Sequence, residues 1–172
     1  EGPKDLEVVS IELAARMVEV AGLEPSLEAS RGRVRAALKS GDGLEKLREI
    51  VEVQGGDPRI IDNPRRLPTA PSVEPVTATR SGYLTAVNAE LIGRATKVLG
   101  AGRDQLGQMI DHAVGAVMNV ALGESVRAGD PVVDLHHRDA RGLDEARQLI
   151  SRAVRIDDVP PAPATLILDT VA

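Results

Sequence analysis

The residue types that bind an anion occur together in one string, Gly100-Ala101-Gly102-Arg103. Main-chain N–H groups of a glycine-rich turn, helped by a nearby cation, are a common way to bind phosphate. The same string follows a predicted helix, where glycine commonly ends the helical run. A helix end followed by a turn is therefore the first interpretation and an anion site the second. No Walker-type string occurs in the chain.

Two histidines, His136 and His137, are adjacent, and Asp134 and Asp139 lie close to them in the sequence. These are residue types that bind divalent metals. Adjacent residues of a strand point to opposite faces, so the two imidazoles are not expected to meet at one ion. A third ligand is not evident either. We therefore expect no metal site and assign no metal ligand.

The third histidine, His112, follows Asp111 directly, which resembles a general-base pair. Neighbours in sequence rarely face each other, and no serine or threonine nucleophile can be identified beside them. A structural role for His112 is the better prediction. We therefore assign no catalytic residue and no cofactor-binding residue to this chain.

A Gly-x-x-Val-x-x-Gly-x-x-Val pattern spans residues 123–132 and resembles the half-motif of biotinyl and lipoyl carrier domains. In those domains a lysine at the tip of a hairpin carries the cofactor. Here the pattern continues through Val133 into Asp134-Leu135-His136-His137-Arg138 without a lysine, and Lys97 falls in a predicted helix. The pattern therefore indicates a barrel-sandwich architecture. A stand-alone binding or carrier module remains the alternative function.

The composition limits which functions are possible. The 172 residues carry a formal net charge of -5 and include no Cys, no Trp, no Phe and one Tyr, Tyr83. Disulfides and thiolate chemistry are excluded, and single-stranded nucleic acid, which is usually bound by aromatic stacking over a basic groove, is an improbable partner. No stretch approaches the ~20 apolar residues of a membrane span, and residues 1–5 are not expected to be a signal peptide, since no basic region followed by an apolar run occurs there. We expect a cytoplasmic protein without a membrane partner, and the start at Glu1 indicates a piece of a longer chain.

The first third of the chain has helical periodicity. Apolar residues at helical spacing predict a helix from Pro3 to Gly22, a second from about Ser26 to Lys39 and a third over Leu44–Val53. Five prolines between residues 57 and 75 then interrupt any long element. This proline-rich stretch divides the chain near residue 68.

The rest of the chain predicts mixed strands and helices, which indicates an α+β domain. The predicted strands are Val73–Thr79, Gly82–Val87, Val114–Val120, Pro131–His136 and Thr165–Asp169, and the predicted helices are Asn88–Leu99 and Leu143–Val154.

Six strings occur together and in one order along the chain: Glu1-Gly2-Pro3-Lys4-Asp5-Leu6, Gln54-Gly55-Gly56-Asp57-Pro58, Ser81-Gly82-Tyr83, Leu99-Gly100-Ala101-Gly102-Arg103, Ile110-Asp111-His112-Ala113-Val114-Gly115 and Pro161-Ala162-Pro163. The series resembles the C-terminal part of thymidine and pyrimidine-nucleoside phosphorylases. The resemblance implies that residues 1–56 are the last helices of a larger α/β domain. Residues 57–69 would be a linker, and residues 70–172 an α/β-hammerhead domain with a barrel-sandwich-like sheet.

The implied parent reaction is phosphorolysis, in which phosphate attacks the anomeric carbon of thymidine and releases thymine and 2-deoxyribose 1-phosphate. The implied partners are phosphate, a pyrimidine nucleoside and a second subunit of a homodimer. The family's phosphate, base and cation sites lie in an earlier part of its chain, so this chain alone is expected to be inactive and to need no cofactor. One departure stands at Asn119-Val120-Ala121, where relatives usually have a basic pair.

Overall fold

The computed structural model describes residues 2–103, 105–163 and 165–171, which form two compact units. Unit 1 contains residues 2–66 together with the carboxyl-terminal residues 165–171, and unit 2 contains the intervening residues from 67 to 163. The chain therefore enters unit 2 once and returns to unit 1 once. Both connections lie in proline-rich sequence.

Unit 1 begins with three helices, α1 (Lys4–Val20), α2 (Leu27–Ser40) and α3 (Asp42–Val53). Helix α2 is capped by Ser26, whose Oγ accepts a hydrogen bond from the main-chain N–H of Ala29 at 3.2 Å. Gly41 separates α2 from α3 with a φ of 86°, which a residue with a side chain adopts only with strain. Two 3-10 turns follow, at Pro58–Ile60 and Pro64–Arg66.

The buried part of unit 1 is small. Ile11 and Ala15 of α1 and Ser30 of α2 are buried. Helix α3 has no buried residue, although its sequence is amphipathic. Unit 1 therefore presents large apolar side chains to its surroundings, among them Leu6, Leu13, Met17, Val20, Leu44, Leu47, Ile50 and Val53.

The described residues of unit 2 form the strands and α-helices β1 (Ser72–Thr77), β2 (Gly82–Val87), α4 (Ala89–Thr96), β3 (Gly115–Met118), β4 (Ser125–Val126), β5 (Pro131–His137), α5 (Leu143–Ala153) and β6 (Val154–Asp157). The strands form two antiparallel sheets of three strands each. One has the order β1-β5-β3 and the other β4-β2-β6.

A single aliphatic cluster fills unit 2 because the chain has almost no aromatic side chains. Leu84 of β2, Leu135 of β5 and Ile150 of α5 are fully buried within it. Helix α5 is also held by an ion pair, in which Arg147 donates from Nε to a carboxylate oxygen of Glu74 in β1 at 3.0 Å. Both sheets and both helices contribute side chains to this one core.

The α+β class predicted from the sequence is confirmed, and most predicted elements fall within a few residues of observed ones. The predicted strand Thr165–Asp169 is wrong. These residues have an apolar pattern but no strand pairs with them, and a strand is defined by its ladder of hydrogen bonds. Two short strands, β4 and β6, were not predicted.

The described helices include none long and apolar enough to cross a membrane. The cytoplasmic location stays a prediction, as do the assigned domain limits.

Candidate functional site

A polar cleft of about 510 Å³ lies in unit 2. Three segments singled out in the sequence contribute to it, through Gly100, Asp111 and Asp139. The structure adds Arg138, Arg141 and Glu145, which follow β5 or lie in α5. With Lys97, the lining of the cleft carries three cationic and three carboxylate groups, which balance in formal charge.

The centre of this cleft is an ion pair between Asp111 and Arg138. Arg138 donates from Nε and one terminal nitrogen to the two carboxylate oxygens, at 2.7 and 3.2 Å. The main-chain N–H of Ala113 donates to the same carboxylate at 3.0 Å. The hydrogen bond from Arg138, and then that from Ala113, lowers the pKa of Asp111, and the pairing raises the pKa of Arg138. Asp111 is therefore a fixed anion, unsuited to act as a base at neutral pH.

The glycine-rich string forms the wall of the cleft as a helix end. Regular α-helix stops at Thr96, and a wider π turn runs through Lys97–Ala101 with Gly100 at a φ of 113°. The carbonyl oxygen of Gly100 accepts a hydrogen bond from the main-chain N–H of Asp111 at 3.0 Å, which joins these two residues across the intervening loop. Arg103 is exposed beyond this turn.

The histidines do not assemble into a catalytic or metal group. His136 and His137 are successive residues of β5, and His137 donates from Nδ1 to the carbonyl oxygen of Asp139 at 2.8 Å. His112 is exposed, while the carboxylate of Asp111 is bonded to Arg138. Within residues 2–103, 105–163 and 165–171, no three His, Asp or Glu side chains are placed to hold a metal ion.

The Gly-Val pattern of residues 123–132 forms the crossing from one sheet to the other. β4 ends at Val126, a tight turn follows in which Arg127 N–H donates to Asp130 Oδ2 at 2.8 Å, and β5 begins at Pro131. Val126 and Val132 are both buried in the core of unit 2. The turn contains no lysine, so it offers no amine for a carried cofactor.

The string Asn119-Val120-Ala121 also has a structural role. Asn119 N–H donates to the carbonyl of Val132 at 2.9 Å, and Ala121 N–H donates to the Glu124 carboxylate at 2.8 Å. These residues form the turn between β3 and β4. Their side chains supply no charge where a basic pair would stand in relatives.

The sequence did not single out Arg138 as a partner of Asp111, because 27 positions separate the two residues. A long-range ion pair of this kind has no periodic signal. The cleft is a charged surface in which Arg138 and Asp111 are paired, and its described lining residues include no serine, threonine or histidine.

A sequence profile for the pyrimidine nucleoside phosphorylase C-terminal domain matches residues 83–157, which lie inside unit 2. The whole chain is 32% identical over 172 residues to a pyrimidine-nucleoside phosphorylase of Geobacillus stearothermophilus, of which it covers 40%. It is 35% identical over 166 residues to one of Staphylococcus epidermidis and 36% identical over 167 residues to one of Staphylococcus aureus, covering 38% of each.

The alignments include 96–100% of this chain, so they extend across the three helices of unit 1 as well as unit 2. The chain spans about two-fifths of the length of these curated relatives. The chain is therefore homologous to the C-terminal region of pyrimidine-nucleoside phosphorylases and contains their C-terminal domain.

Proposed function

We propose that this chain is the C-terminal part of a pyrimidine-nucleoside phosphorylase and has no phosphorolytic activity by itself. The parent enzyme would convert thymidine and phosphate to thymine and 2-deoxyribose 1-phosphate, or use uridine in the same way, as a pentosyltransferase of nucleoside salvage. Residues 1–56 would complete a catalytic α/β domain, residues 57–69 would link, and residues 70–172 would form the closing hammerhead. The parent would be a homodimer.

The observation that carries this proposal is the match of the whole chain to only two-fifths of each relative. In the resemblance described above, the phosphate and base contacts lie in the remaining part. The cleft of unit 2 is consistent with this placement, because one of its three cations, Arg138, is already bonded to Asp111. A phosphate that binds through Arg138 would have to displace a carboxylate from that guanidinium.

The surface of unit 1 supports the same proposal independently. In α3, Leu44, Leu47 and Ile50 lie on one side of the helix and are 45–52% exposed. Burying a side chain of this size fully contributes about 1.5–3 kcal/mol, so three of them left half-exposed forgo several kcal/mol. An amphipathic helix of this kind is expected to pack on further protein. The missing catalytic portion of the parent would supply that protein.

The alternative is a stand-alone binding or carrier module built on the barrel-sandwich pattern. The turn at Arg127–Asp130 has no lysine to modify, and the homology extends well outside the pattern into unit 1. Intact-mass analysis of the protein from its native source separates the two functions. A stoichiometric covalent adduct would support the carrier, and an unmodified mass supports the phosphorylase part.

The first experiment measures pyrimidine release by the purified chain. The chain is incubated with phosphate and either thymidine or uridine, and free thymine or uracil is quantified by chromatography. We expect no release above that of an unrelated protein, because orienting both reactants accounts for ~7–11 kcal/mol of barrier lowering and the groups that do so are absent. Release that depends on phosphate and on this chain would contradict the proposal.

The second experiment supplies the missing part. The chain is co-expressed with the upstream three-fifths of the Geobacillus stearothermophilus relative, and copurification and thymine release are measured. We expect a complex that Leu47→Glu weakens. The control is Glu49→Lys, which also changes a charge but lies two residues from Leu47, on the opposite, exposed side of α3. Equal binding by the two variants would show that the α3 face is not the contact.

A further inference from the structure

The carboxyl-terminal residues 165–171, called here the terminal segment, belong to unit 1 although they follow unit 2 in the chain. Together with the middle of α1 they line a groove of about 460 Å³. Val9 and Leu13 line it from the helix, and Leu166 and Ile167 line it from the terminal segment. The strand predicted here is absent, so the segment's place depends on its side chains and not on a ladder of hydrogen bonds.

Exposure divides the terminal segment into two kinds of residue. Leu166 and Ile167 are 47% and 41% exposed, while Leu168 and Val171 are 89% and 93% exposed. All four line the groove, but the first pair is half-covered inside unit 1 and the second pair is largely exposed to solvent. All four are large and aliphatic, so the difference in burial reflects position and not residue type.

Because of the order of the two units in the chain, the terminal segment is a second connection between unit 2 and unit 1. The chain leaves unit 1 after Arg66 and returns by residue 165, so unit 2 is joined to unit 1 at both of its ends. The first connection, residues 62–69, is exposed. It includes the 3-10 turn Pro64–Arg66, followed by Leu67 and Pro68, and these residues pair with no strand.

We propose that the terminal segment is a strap, bound in the α1 groove through Leu166 and Ile167, which keeps unit 2 attached to unit 1 when the first connection is cut. Hydrolysis of a peptide bond between residues 66 and 68 adds one water and leaves a new carboxylate and a new amine. Two polypeptides result, residues from the amino terminus to the cut and from the cut to the carboxyl terminus. The second polypeptide still carries the strap, which remains bound to helix α1 of the first.

The test uses the full chain with the recognition sequence of a site-specific protease inserted between Leu67 and Pro68. The folded protein is cut, and the products are separated by size-exclusion chromatography without denaturant. We expect the two pieces to elute together at the volume of the uncut chain. Separate elution of two folded pieces would overturn the proposal.

Two matched substitutions assign the attachment to the strap. Ile167→Asp places a charge on the half-covered side and is expected to weaken the association of the cut pieces by roughly tenfold or more, since about 1.4 kcal/mol corresponds to a factor of ten. Leu168→Asp introduces the same charge one residue away, at a position already exposed, and is expected to leave the pieces together. Coelution of the cut Ile167→Asp pieces would show that another contact holds them and would overturn the proposal.

A substitution in helix α1 tests the same contact without changing the terminal segment. Leu13 is 60% exposed, so Leu13→Asp should leave the helices of unit 1 formed, as circular dichroism of the uncut chain would show. The cut Leu13→Asp protein is expected to separate as Ile167→Asp does. Retention of both pieces in this variant would place the strap outside the groove and count against the proposal.

Discussion

The approach of α5 to the π turn of unit 2 depends on one glycine. Gly142 precedes α5 with a φ of 72°, and a Cβ built there would stand 2.6 Å from the carbonyl oxygen and 2.6 Å from a side-chain methyl of Val98. The carbonyl belongs to the main chain and cannot swing aside as a flexible side chain does. Gly142→Ala should therefore push apart two elements that form the wall of the charged cleft.

The magnitude follows from a comparison with Gly129. That glycine has a φ of 91°, and a Cβ there would meet nothing within 4 Å. Both substitutions to alanine incur about 1–2 kcal/mol for a left-handed conformation and recover about 0.4–1 kcal/mol through a stiffer unfolded chain. Only Gly142→Ala adds overpacking, which typically costs about 1–3 kcal/mol. We therefore expect Gly142→Ala to be less stable than Gly129→Ala by about 1–3 kcal/mol.

The single tyrosine provides the assay. Tyr83 lies in β2, so its fluorescence reports the unfolding of unit 2, whereas circular dichroism in the far ultraviolet reports the helices of both units. With a urea m-value of about 1–3 kcal/mol/M, the expected difference lowers the midpoint of Gly142→Ala by about 1 M relative to Gly129→Ala. Equal midpoints for the two variants would refute the argument that the carbonyl of Val98 excludes a side chain at residue 142.

Three further predictions concern the core, a helix cap and acid stability. Leu84→Ala should destabilise unit 2 by about 2–5 kcal/mol, because Leu84 is 0% exposed. The free energy of unfolding is measured by Tyr83 fluorescence in urea, and a smaller loss of stability would contradict tight packing around Leu84. Asn88→Ala should cost about 0.5–2 kcal/mol in the same assay, since its side chain accepts from Leu91 N–H at 3.1 Å, while Asn88→Asp should cost much less. The pKa of Asp57 is lowered chiefly by the hydrogen bond from Arg59, so its contribution is present above the ordinary aspartate pKa of about 3.9 and is lost as pH falls further. Asp57→Asn should therefore reduce the helical stability of unit 1 at pH 6 and progressively less below about pH 4, and a constant difference would contradict the role of the charged pair.

Local signals in the sequence predicted the elements that have strong periodicity and clear ends. Helix α2 lies next to Ser26 and Gly41, whose capping roles can be recognised without a structure, and β2 has the predicted bounds Gly82–Val87. Gly82 also shows what a sequence does not reveal. A Cβ at this position would lie 2.5 Å from the carbonyl oxygen of Asp157, so the glycine is required by a strand that was not predicted.

The missed strands are the short ones. β4 has two residues, Ser125–Val126, and β6 follows α5 without any turn residue between them. β4 has too few positions for a period of two to be recognised. β6 alternates over its four residues, Val154–Asp157, but it directly continues a predicted helix. The pairing of both strands with β2 is a tertiary property. The predicted strand at Thr165–Asp169 has three consecutive apolar residues but no partner strand.

The candidate site was predicted only in part, because its residues come together through tertiary contacts. The sequence drew attention to Gly100, Asp111 and Asp139 separately, and the structure brings them into one cleft. The sequence could not show that Arg138 pairs with Asp111, and this pairing decides whether Arg138 can bind an anion. A free arginine beside a glycine-rich turn would favour anion binding, whereas a paired one favours holding the turn in place.

The paired cleft and the exposed face of α3 therefore support one conclusion from opposite directions. In unit 2 the guanidinium of Arg138 in the cleft is bonded to Asp111, and the aliphatic core is buried. In unit 1 the apolar groups that could form a core are left half-exposed, so that part lacks protein to pack against. Both observations support the proposal that this chain works as the closing part of a larger enzyme.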